Sequence, residues 1–304
     1  MSIIRSNRIR NSLVSIISNK IEQPQLKAQL LEFVDYQSEK GFSFGEMLVL
    51  HYSIFKGIET EEIYTVAAAV EALILSFDIL DDFEDDDCKD KPWLTESNLS
   101  LNATTALLFL SADIIRRTSF ANKDKAISIL LKYALRSISG QHKDLLNSCK
   151  NEADFIEMTL EKSGSLTTLA CLVGACLATD DYPKEVASYA ELIGLIGQIN
   201  NDLVDIKKWN EKNDLLNKKY TLPIIYLLNC KDDELLFIHN YYDNKVDSNE
   251  VVQNRSLIAK KFVETGAIIY TEVIKRVYQN KALAEIQKLY MNPCISEQLN
   301  NYIN

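Results

Sequence analysis

The segment VAAAVEALILSFDILDDFEDDD, residues 66–87, joins one of the most apolar runs of the chain to a block of carboxylates. Its first twelve residues contain one charged side chain, Glu71, and are typical of a helix in a protein core. Seven of the ten residues that follow are acidic. Because carboxylates at the C-terminal end of a helix oppose the helix dipole, stability alone does not explain them. The segment therefore predicts a buried helix that ends either in a solvated surface or in a site for a cation.

The rest of the chain repeats the helical pattern. Apolar residues recur at spacings of three and four, and no stretch sustains the strict alternation of a β-strand. The short polar breaks between segments include no linker that would mark a domain boundary. The sequence therefore predicts one all-α domain over residues 1–304. Its predicted helical segments are 24–38, 44–56, 61–82, 99–117, 124–147, 152–178, 184–209, 219–229, 232–242, 252–278 and 281–290.

Composition excludes several classes of function. The net charge of −10 disfavours a nucleic-acid partner, and the chain has no glycine-rich nucleotide-binding motif. Six scattered cysteines without a CxxC pair are typical of free thiols in a reducing cytosol, so we predict a cytoplasmic protein. No run of 18 apolar residues occurs. The basic, mildly amphipathic residues 5–20 predict a solvated first helix with at most a weak contact to a membrane surface.

Helical spacing places the acidic residues of the first segment on one face. Asp81 and Asp85 are four residues apart, and Asp82 flanks them. Two unit charges about 6 Å apart repel by about 3 kcal/mol at an effective dielectric constant near 20. Oxygen ligands of this kind suit Mg²⁺, which shares its coordination shell with phosphate oxygens. We therefore predict that Asp81, Asp82 and Asp85 bind Mg²⁺, whereas Glu84, Asp86 and Asp87 are solvated.

A second apolar segment, GLIGQINNDLVD at residues 194–205, also carries polar residues at helical spacing. Buried polar groups must be paired or line a cavity, so this pattern predicts a functional face. Two such helices facing each other would hold several Mg²⁺ ions and receive a diphosphate. The predicted metal ligands here are Asn201, Asp202 and Asp205, and Gln198 is predicted to bind substrate.

Further polar residues interrupt apolar stretches. Gln141 and Asp144 are three residues apart in SGQHKDL and are predicted to face the same cavity, whereas His142 has no second histidine at ligand spacing. A diphosphate site also requires cations, although a single lysine is more often a surface residue. The candidates are Lys89, Lys162, Lys212 and Lys219.

Taken in order, these motifs resemble the trans-isoprenyl diphosphate synthase family. The chain has DDxxD at 81–85, GQxxDL at 140–145, Lys-Ser-Gly at 162–164, QxxNDxxD at 198–205 and KxTLP at 219–223. The resemblance implies an all-α isoprenoid-synthase bundle around a deep apolar cavity. It also implies Mg²⁺-dependent ionisation of an allylic diphosphate, with Lys162, Gln141 and Asp144 among the catalytic groups and Ser163 at the substrate.

The chain also departs from that family. Chain-elongating members carry a Gly-Gly-Lys-Arg-x-Arg-Pro stretch that binds the second, homoallylic diphosphate. The corresponding region here, EKGFSFGEMLVLHYSIF at residues 39–55, lacks the basic pair. Phe42, Phe44 and Glu46 stand near its place. The two arginines that follow DDxxD are replaced by Cys88 and Lys89. The allylic site is thus predicted to be intact, whereas the site for isopentenyl diphosphate is not.

Within the family, these segments are most similar to the ComQ isoprenyltransferases, which modify a Trp of the ComX pheromone precursor peptide. The resemblance implies an allylic donor, a short Trp-containing peptide as acceptor, and a homodimer. Phe77 lies one turn before Asp81, and a large residue there implies a geranyl or farnesyl donor. Two alternatives remain open: a small-molecule enzyme, either a terpene cyclase or a short-chain synthase, and a non-catalytic homologue.

Overall fold

The computed structural model describes the backbone of residues 2–85, 91–208, 213–289 and 293–303, and the side chains of these ranges except residues 2, 3, 85 and 293–296. These residues form α-helices and short 3₁₀ and π segments without any strand, so the all-α prediction is confirmed. The α-helices are α1 (Ser2–Lys20), α2 (Pro24–Ser38), α3 (Ser43–Ile54), α4 (Glu61–Asp85), α5 (Ser97–Arg116), α6 (Lys123–Leu145), α7 (Glu152–Thr159), α8 (Ser165–Ala178), α9 (Glu185–Asp205), α10 (Leu222–Asn229), α11 (Leu236–Tyr242), α12 (Ser248–Gln253), α13 (Arg255–Glu264), α14 (Ala267–Gln287) and α15 (Pro293–Asn300).

The prediction was wrong in the C-terminal third of the chain. A single helix was predicted over 252–278, but the helix breaks at Gly266, whose φ of 82° lies in the left-handed region that favours glycine. The predicted break after residue 278 is absent, because α14 continues to Gln287. Gln279, in that break, is buried and donates its side-chain amide to the carbonyl oxygen of Ile303 at 2.7 Å. Apolar spacing alone did not reveal this long-range hydrogen bond.

The chain forms two compact units. Unit 1 comprises residues 1–135 and 165–190, and unit 2 comprises residues 136–164 and 191–304. The boundaries therefore fall within α6, between the π segment and α8, and within α9. That residues 1–304 form a single domain stays a prediction.

In unit 1, helices α3 and α4 are the central elements. Helix α3 packs closely on α8, where a Cβ atom on Gly174 would lie within 3.0 Å of the carbonyl carbon of Leu48. Helix α4 packs against α1, α3 and α5, and almost every residue from Ile63 to Leu75 is buried. Burial of this apolar stretch stabilises the helix whose end carries the acidic residues, because apolar burial dominates folding free energy.

Unit 2 is built around α10, which packs against α7, α13 and α14. Pro223 lies in the first turn of α10, where its missing N–H costs no helical hydrogen bond. Two apolar clusters hold this unit together. One contains Phe262 and Tyr241, and the other contains Phe155 and Leu203.

Two of the described helices are long and apolar enough to cross a membrane by length and composition. In α4 the relevant window is 78% buried inside the protein, as is usual for a core helix. In α5 it is 39% buried. The second value reflects an apolar exposed surface, which includes Leu101 and Phe109.

Candidate active site

The carboxylates of unit 1 lie on the last two turns of α4. Asp81 and Asp82 are both partly buried there, as is Phe77, four residues before Asp81. Helix α4 runs through Asp85, so the backbone has the helical spacing predicted for residues 81 and 85. The side chain of Asp85 and residues 86–90, which include Lys89, lie outside the described residues.

Asp82 connects α4 to the chain that follows. Its Oδ1 accepts a hydrogen bond from Lys91 Nζ at 2.5 Å, and its Oδ2 accepts one from Trp93 Nε1 at 2.9 Å. The Trp93 ring is buried and packs edge-on against Phe33 and Tyr36 of α2, with centroid separations of 5.5 and 5.1 Å. Because both of its oxygens are engaged, Asp82 has a structural role at this end of α4. That Asp82 also binds a metal stays a prediction.

Asp78 lies one turn before the aspartate pair. Its side chain is exposed, and desolvation by the surrounding protein, reinforced by Asp81, raises its pKa above the ordinary value. Lys40 and Lys91 act in the opposite direction. A carboxyl group with a raised pKa thus adjoins the predicted site.

Residues 39–55, which replace the basic stretch of the related elongases, contact the middle of α4. Oε1 of Glu71 accepts the backbone N–H of Gly45 at 2.5 Å, so this carboxyl group caps the N-terminus of α3 from another helix. Burial raises the pKa of Glu71 to about 8. Phe42 and Glu46, which stand in this region, are buried as well. Phe44 is partly accessible to water.

In unit 2 a π-helical segment, Leu160–Gly164, follows α7 and carries Lys162 and Ser163. Such segments leave carbonyl groups without their usual helical partners and are frequent at functional sites. Here Ser137 Oγ of α6 donates to the carbonyl oxygen of Lys162 at 2.8 Å. Helix α6 approaches so closely that a Cβ atom on Gly140 would lie 2.8 Å from Lys162 Cα. Gly140 therefore sets the position of Lys162.

A chain of polar contacts continues from this segment. Lys162 Nζ donates to Oδ2 of Asp144 at 2.7 Å, which joins two of the predicted catalytic residues. Ser163 Oγ donates to Oε1 of Gln198 at 3.1 Å. The amide of Gln198 in turn donates to Oδ1 of Asp202 at 2.9 Å. The structure thus brings these five residues together as one pair, Lys162 with Asp144, and one chain of three, Ser163 with Gln198 and Asp202.

Asp202 is the most buried carboxylate of this network, at 2% exposure. Its Oδ2 has no hydrogen-bond partner. Burial raises the pKa of Asp202 well above its ordinary value, and the charges of Asp214, Asp144 and Asp205 act in the same direction. A buried carboxylate oxygen without a donor is costly, and a proton or a cation would satisfy it.

The remaining predicted residues of unit 2 are less closely involved. Asp205 is partly buried and pairs with Lys208 at 3.0 Å, whereas Asn201 is exposed on α9. Gln141 and Lys219 are partly buried. His142 is exposed. Lys212 lies outside the described residues.

Comparison with known proteins identifies the family. A family model described as polyprenyl synthetase matches residues 27–258. The chain belongs to the polyprenyl synthetase family. Tryptophan prenyltransferase ComQ of Bacillus subtilis subsp. natto (strain BEST195) is 34% identical over 297 residues, covering 97% of this chain and 90% of that protein. The protein of the same name from Bacillus spizizenii is 31% identical, covering 91% of this chain and 98% of that protein. These relatives confirm that the chain is a prenyltransferase.

Solved structures confirm the isoprenoid-synthase fold. The polyprenyl synthetase from Streptomyces coelicolor A3(2) matches with a TM-score of 0.83 at 18% identity, covering 100% of this chain and 98% of that one. The polyprenyl synthase from Caulobacter crescentus CB15, complexed with calcium and isoprenyl diphosphate, matches with a TM-score of 0.84 at 18% identity, covering 99% and 94%.

Sequence reasoning missed four residues that contact or adjoin the predicted ligands. Asp78 stands in the acidic segment but carried no predicted role, and Lys91 pairs with Asp82. Trp93 anchors that pair, and Asp214 is buried beside Asp202. The acidic composition of residues 78–87 was the available signal for Asp78. No local pattern marks Trp93 or Asp214.

The side chains present fit a hard divalent cation. Among the described residues, no three His, Cys, Asp or Glu groups already converge as a metal site. The donors are nevertheless all oxygen, which suits Mg²⁺, and the unsatisfied Oδ2 of Asp202 is a ligand atom in need of a positive charge. Mutual repulsion with Asp144, Asp205 and Asp214 favours a cation at that position.

Proposed function

We propose that this prenyltransferase is Mg²⁺-dependent and transfers the prenyl group of geranyl or farnesyl diphosphate to a Trp side chain of a ComX-type precursor peptide. The observation that carries the proposal is the similarity to tryptophan prenyltransferases over nearly the whole chain, 34% identity across 97% of it. Related synthases at far lower identity share only the fold.

The region at residues 39–55 supports an acceptor without a diphosphate. It carries one lysine, Lys40, and no arginine. The amide of Gly45 in the first turn of α3 is already taken by the Glu71 carboxyl group. Each charge-assisted contact to a diphosphate contributes about 1.5–3 kcal/mol, so losing several of them weakens binding of isopentenyl diphosphate by orders of magnitude.

The proposed metal ligands are Asp81, Asp82 and Asp85 in unit 1 and Asn201, Asp202 and Asp205 in unit 2. These residues would hold Mg²⁺, which when bound would supply positive charge to the departing diphosphate. Lys162, held by Asp144, supplies further positive charge to that leaving group, and Lys89, Lys212 and Lys219 are proposed to assist it. Ser163 and Gln198 are proposed to lie beside its oxygens, where the second N–H of the Gln198 amide would donate a hydrogen bond.

The allylic carbon–oxygen bond breaks, and its electron pair stays on the diphosphate. The electron-rich C3 of the indole provides the pair for the new carbon–carbon bond. The positive charge that passes to the indole is then removed by loss of one proton. No strong base is needed for the attack itself, because indole is already nucleophilic.

The proposal is tested with purified protein, Mg²⁺ and either geranyl or farnesyl diphosphate. One reaction receives a Trp-containing precursor peptide, a second receives the same peptide with Trp replaced by Phe, and a third receives isopentenyl diphosphate. Mass spectrometry should show one added prenyl group on the Trp peptide alone. An elongated prenyl alcohol after phosphatase treatment, with no change in the peptide, contradicts the proposal. A cyclic hydrocarbon formed without an acceptor supports a terpene cyclase.

We further propose that the enzyme acts in the cytoplasm as a homodimer. Exposed aliphatic side chains lie along one side of α6 and are separated by four, three and seven residues. This spacing is typical of a helix that packs against a partner helix. These residues are Leu131, Leu135, Ile138 and Leu145. The four cysteines with described side chains are free thiols, which suits a reducing compartment.

A further inference from the structure

A cavity lies in unit 2, and its lining includes no residue of the polar network of Lys162 and Asp202. Its volume is about 260 Å³, enough for one amino-acid side chain. It is formed by α7, α10 and α14 and is lined by Glu152, Leu222, Ile225, Tyr226, Asn229, Cys230 and Tyr270. None of these residues belongs to the proposed catalytic machinery.

Glu152 is the charged group of this lining. The Tyr270 hydroxyl donates to Oε2 of Glu152. Among the described residues, no lysine, arginine or histidine forms an ion pair with Glu152. The carboxylate is partly buried, so its charge is only partly screened by water. A cavity with one uncompensated carboxylate favours a positively charged occupant.

Aromatic rings form the adjoining wall. Tyr226 and Tyr270 pack together with their centroids 4.6 Å apart. Ring faces of this kind attract ammonium groups. The neighbouring Tyr278 already has such a partner, since Lys281 Nζ lies 4.4 Å from its ring centroid. Leu222 and Ile225 supply an apolar surface for an aliphatic stem.

From these contacts we infer that the cavity binds a primary ammonium group on a short aliphatic stem. The ammonium lies against Glu152 and the tyrosine rings, and the stem lies on Leu222 and Ile225. A lysine side chain and the amino terminus of a peptide are the two sources of such a group. The inference is independent of the proposed acceptor chemistry.

Glu152 also has a structural role, because it is the first residue of α7 and a carboxylate there interacts favourably with the helix N-terminus. That role requires no ligand. The experiment must therefore detect binding and not only stability.

Cys230 lines the cavity and is a built-in reporter. Its alkylation by iodoacetamide is followed by peptide mass spectrometry in the full-length protein. Three probes are compared at equal ionic strength: acetyl-lysine amide, leucine amide, and acetyl-norleucine amide as the uncharged analogue of the first. The rate should fall by the factor 1 + [probe]/Kd with an ammonium probe and remain unchanged with acetyl-norleucine amide. Protection by acetyl-lysine amide alone identifies a side-chain ammonium, and protection by leucine amide alone identifies an amino terminus.

Glu152→Gln should remove most of the protection. Glu157→Gln is the matched control, because Glu157 is an exposed residue on the same helix. The melting temperature provides a second measurement and should rise with the ammonium probe in the wild type and in Glu157→Gln, but not in Glu152→Gln. Equal effects of acetyl-lysine amide and acetyl-norleucine amide overturn the inference. So does full protection, or a full rise in melting temperature, in Glu152→Gln.

Discussion

Single carboxylates at the end of α4 have different roles, although they stand side by side in the sequence. Asp82 has both oxygens engaged by Lys91 and Trp93. Asp78 has a pKa raised by desolvation and by Asp81. Neighbouring carboxylates whose surroundings differ this much can hold a cation, anchor a chain segment and retain a proton within two turns of one helix.

Asp81 is expected to be required for turnover rather than for folding. Asp81→Ala should lower kcat/KM for prenyl transfer by at least about two orders of magnitude, because a group that stabilises the leaving diphosphate is lost. The melting temperature should be unchanged or higher, because one carboxylate is removed from a crowded group. Steady-state kinetics and thermal unfolding measure the two effects. Glu84→Ala, in the same turn, is the control and should retain activity. Near wild-type turnover in Asp81→Ala, or in the wild type with excess EDTA, would contradict the metal assignment.

Phe77 is predicted to limit the length of the donor. Phe77→Ala should shift the preference from geranyl or farnesyl diphosphate toward geranylgeranyl diphosphate, because removing the ring deepens the space beneath Asp81. Rates with geranyl, farnesyl and geranylgeranyl diphosphate, measured for the wild type and for Phe77→Ala, test this prediction. If Phe77 is only a packing residue, the substitution costs at most about 3–5 kcal/mol of stability and leaves the order of preference unchanged.

The buried carboxyl group of Glu71 makes the stability of the fold depend on pH. Its pKa is about 8 in the folded protein and lies near 4.5 in the unfolded chain. The folded state therefore keeps a proton that the unfolded state has lost, so this contribution to stability is complete below pH 4.5 and falls as pH rises toward 8. Glu71→Gln, which is neutral at every pH, should be more stable than the wild type at pH 8 and similar to it at pH 5.

Urea unfolding at the two pH values measures this difference, and Glu61→Gln at the exposed start of α4 serves as the control. An equal change in unfolding free energy at pH 5 and pH 8 for Glu71→Gln would show that Glu71 is ionised in the folded protein.

At the scale of elements, the close approach of α6 to the π segment fixes Lys162. Gly140→Ala should lower the free energy of unfolding by about 1–3 kcal/mol and reduce turnover, because the added methyl group overlaps the backbone of Lys162. Gly197→Ala on α9 is a matched control, since a Cβ atom there meets nothing within 4 Å. That control should gain about 0.5–1 kcal/mol from its better helix propensity. Urea unfolding measures the stability of both variants, and kcat measures their turnover. Full activity in Gly140→Ala would show that close packing at Gly140 is not required for catalysis.

Sequence reasoning succeeded for elements whose signal is local. The apolar run of α4 predicted its burial, whereas the metal binding expected at its acidic end stays a prediction. The polar insertions at Lys162 and Gln198 predicted residues that make side-chain contacts, Lys162 with Asp144 and Gln198 with Ser163. It failed where the cause is a distant partner. Trp93 acquires its role from Asp82, eleven residues earlier in the chain. Phe42 and Glu46 are buried where residues 39–55 pack against α4.

The whole molecule shares about a third of its residues with a tryptophan prenyltransferase but only its fold with the solved polyprenyl synthetases. Because both groups share the fold, the fold does not indicate which acceptor is used. The choice depends on the identity over most of the chain and on the region at residues 39–55. This separation explains why the class of enzyme is established whereas the acceptor requires the peptide assay.

The proposed homodimer depends on the exposed side of α6. Leu135 is 65% exposed there, between Leu131 and Ile138, so burying this side against a second copy would remove apolar area from water at about 25 cal/mol per Å². Leu135→Glu should convert the wild-type dimer to a monomer, because a carboxylate placed in an apolar interface must be desolvated without a partner. Size-exclusion chromatography with light scattering measures the mass, and Lys132→Glu, an exposed charge change at a different angle on the same helix, should remain dimeric. A monomeric wild type, or a dimeric Leu135→Glu, would exclude this side of α6 as the interface.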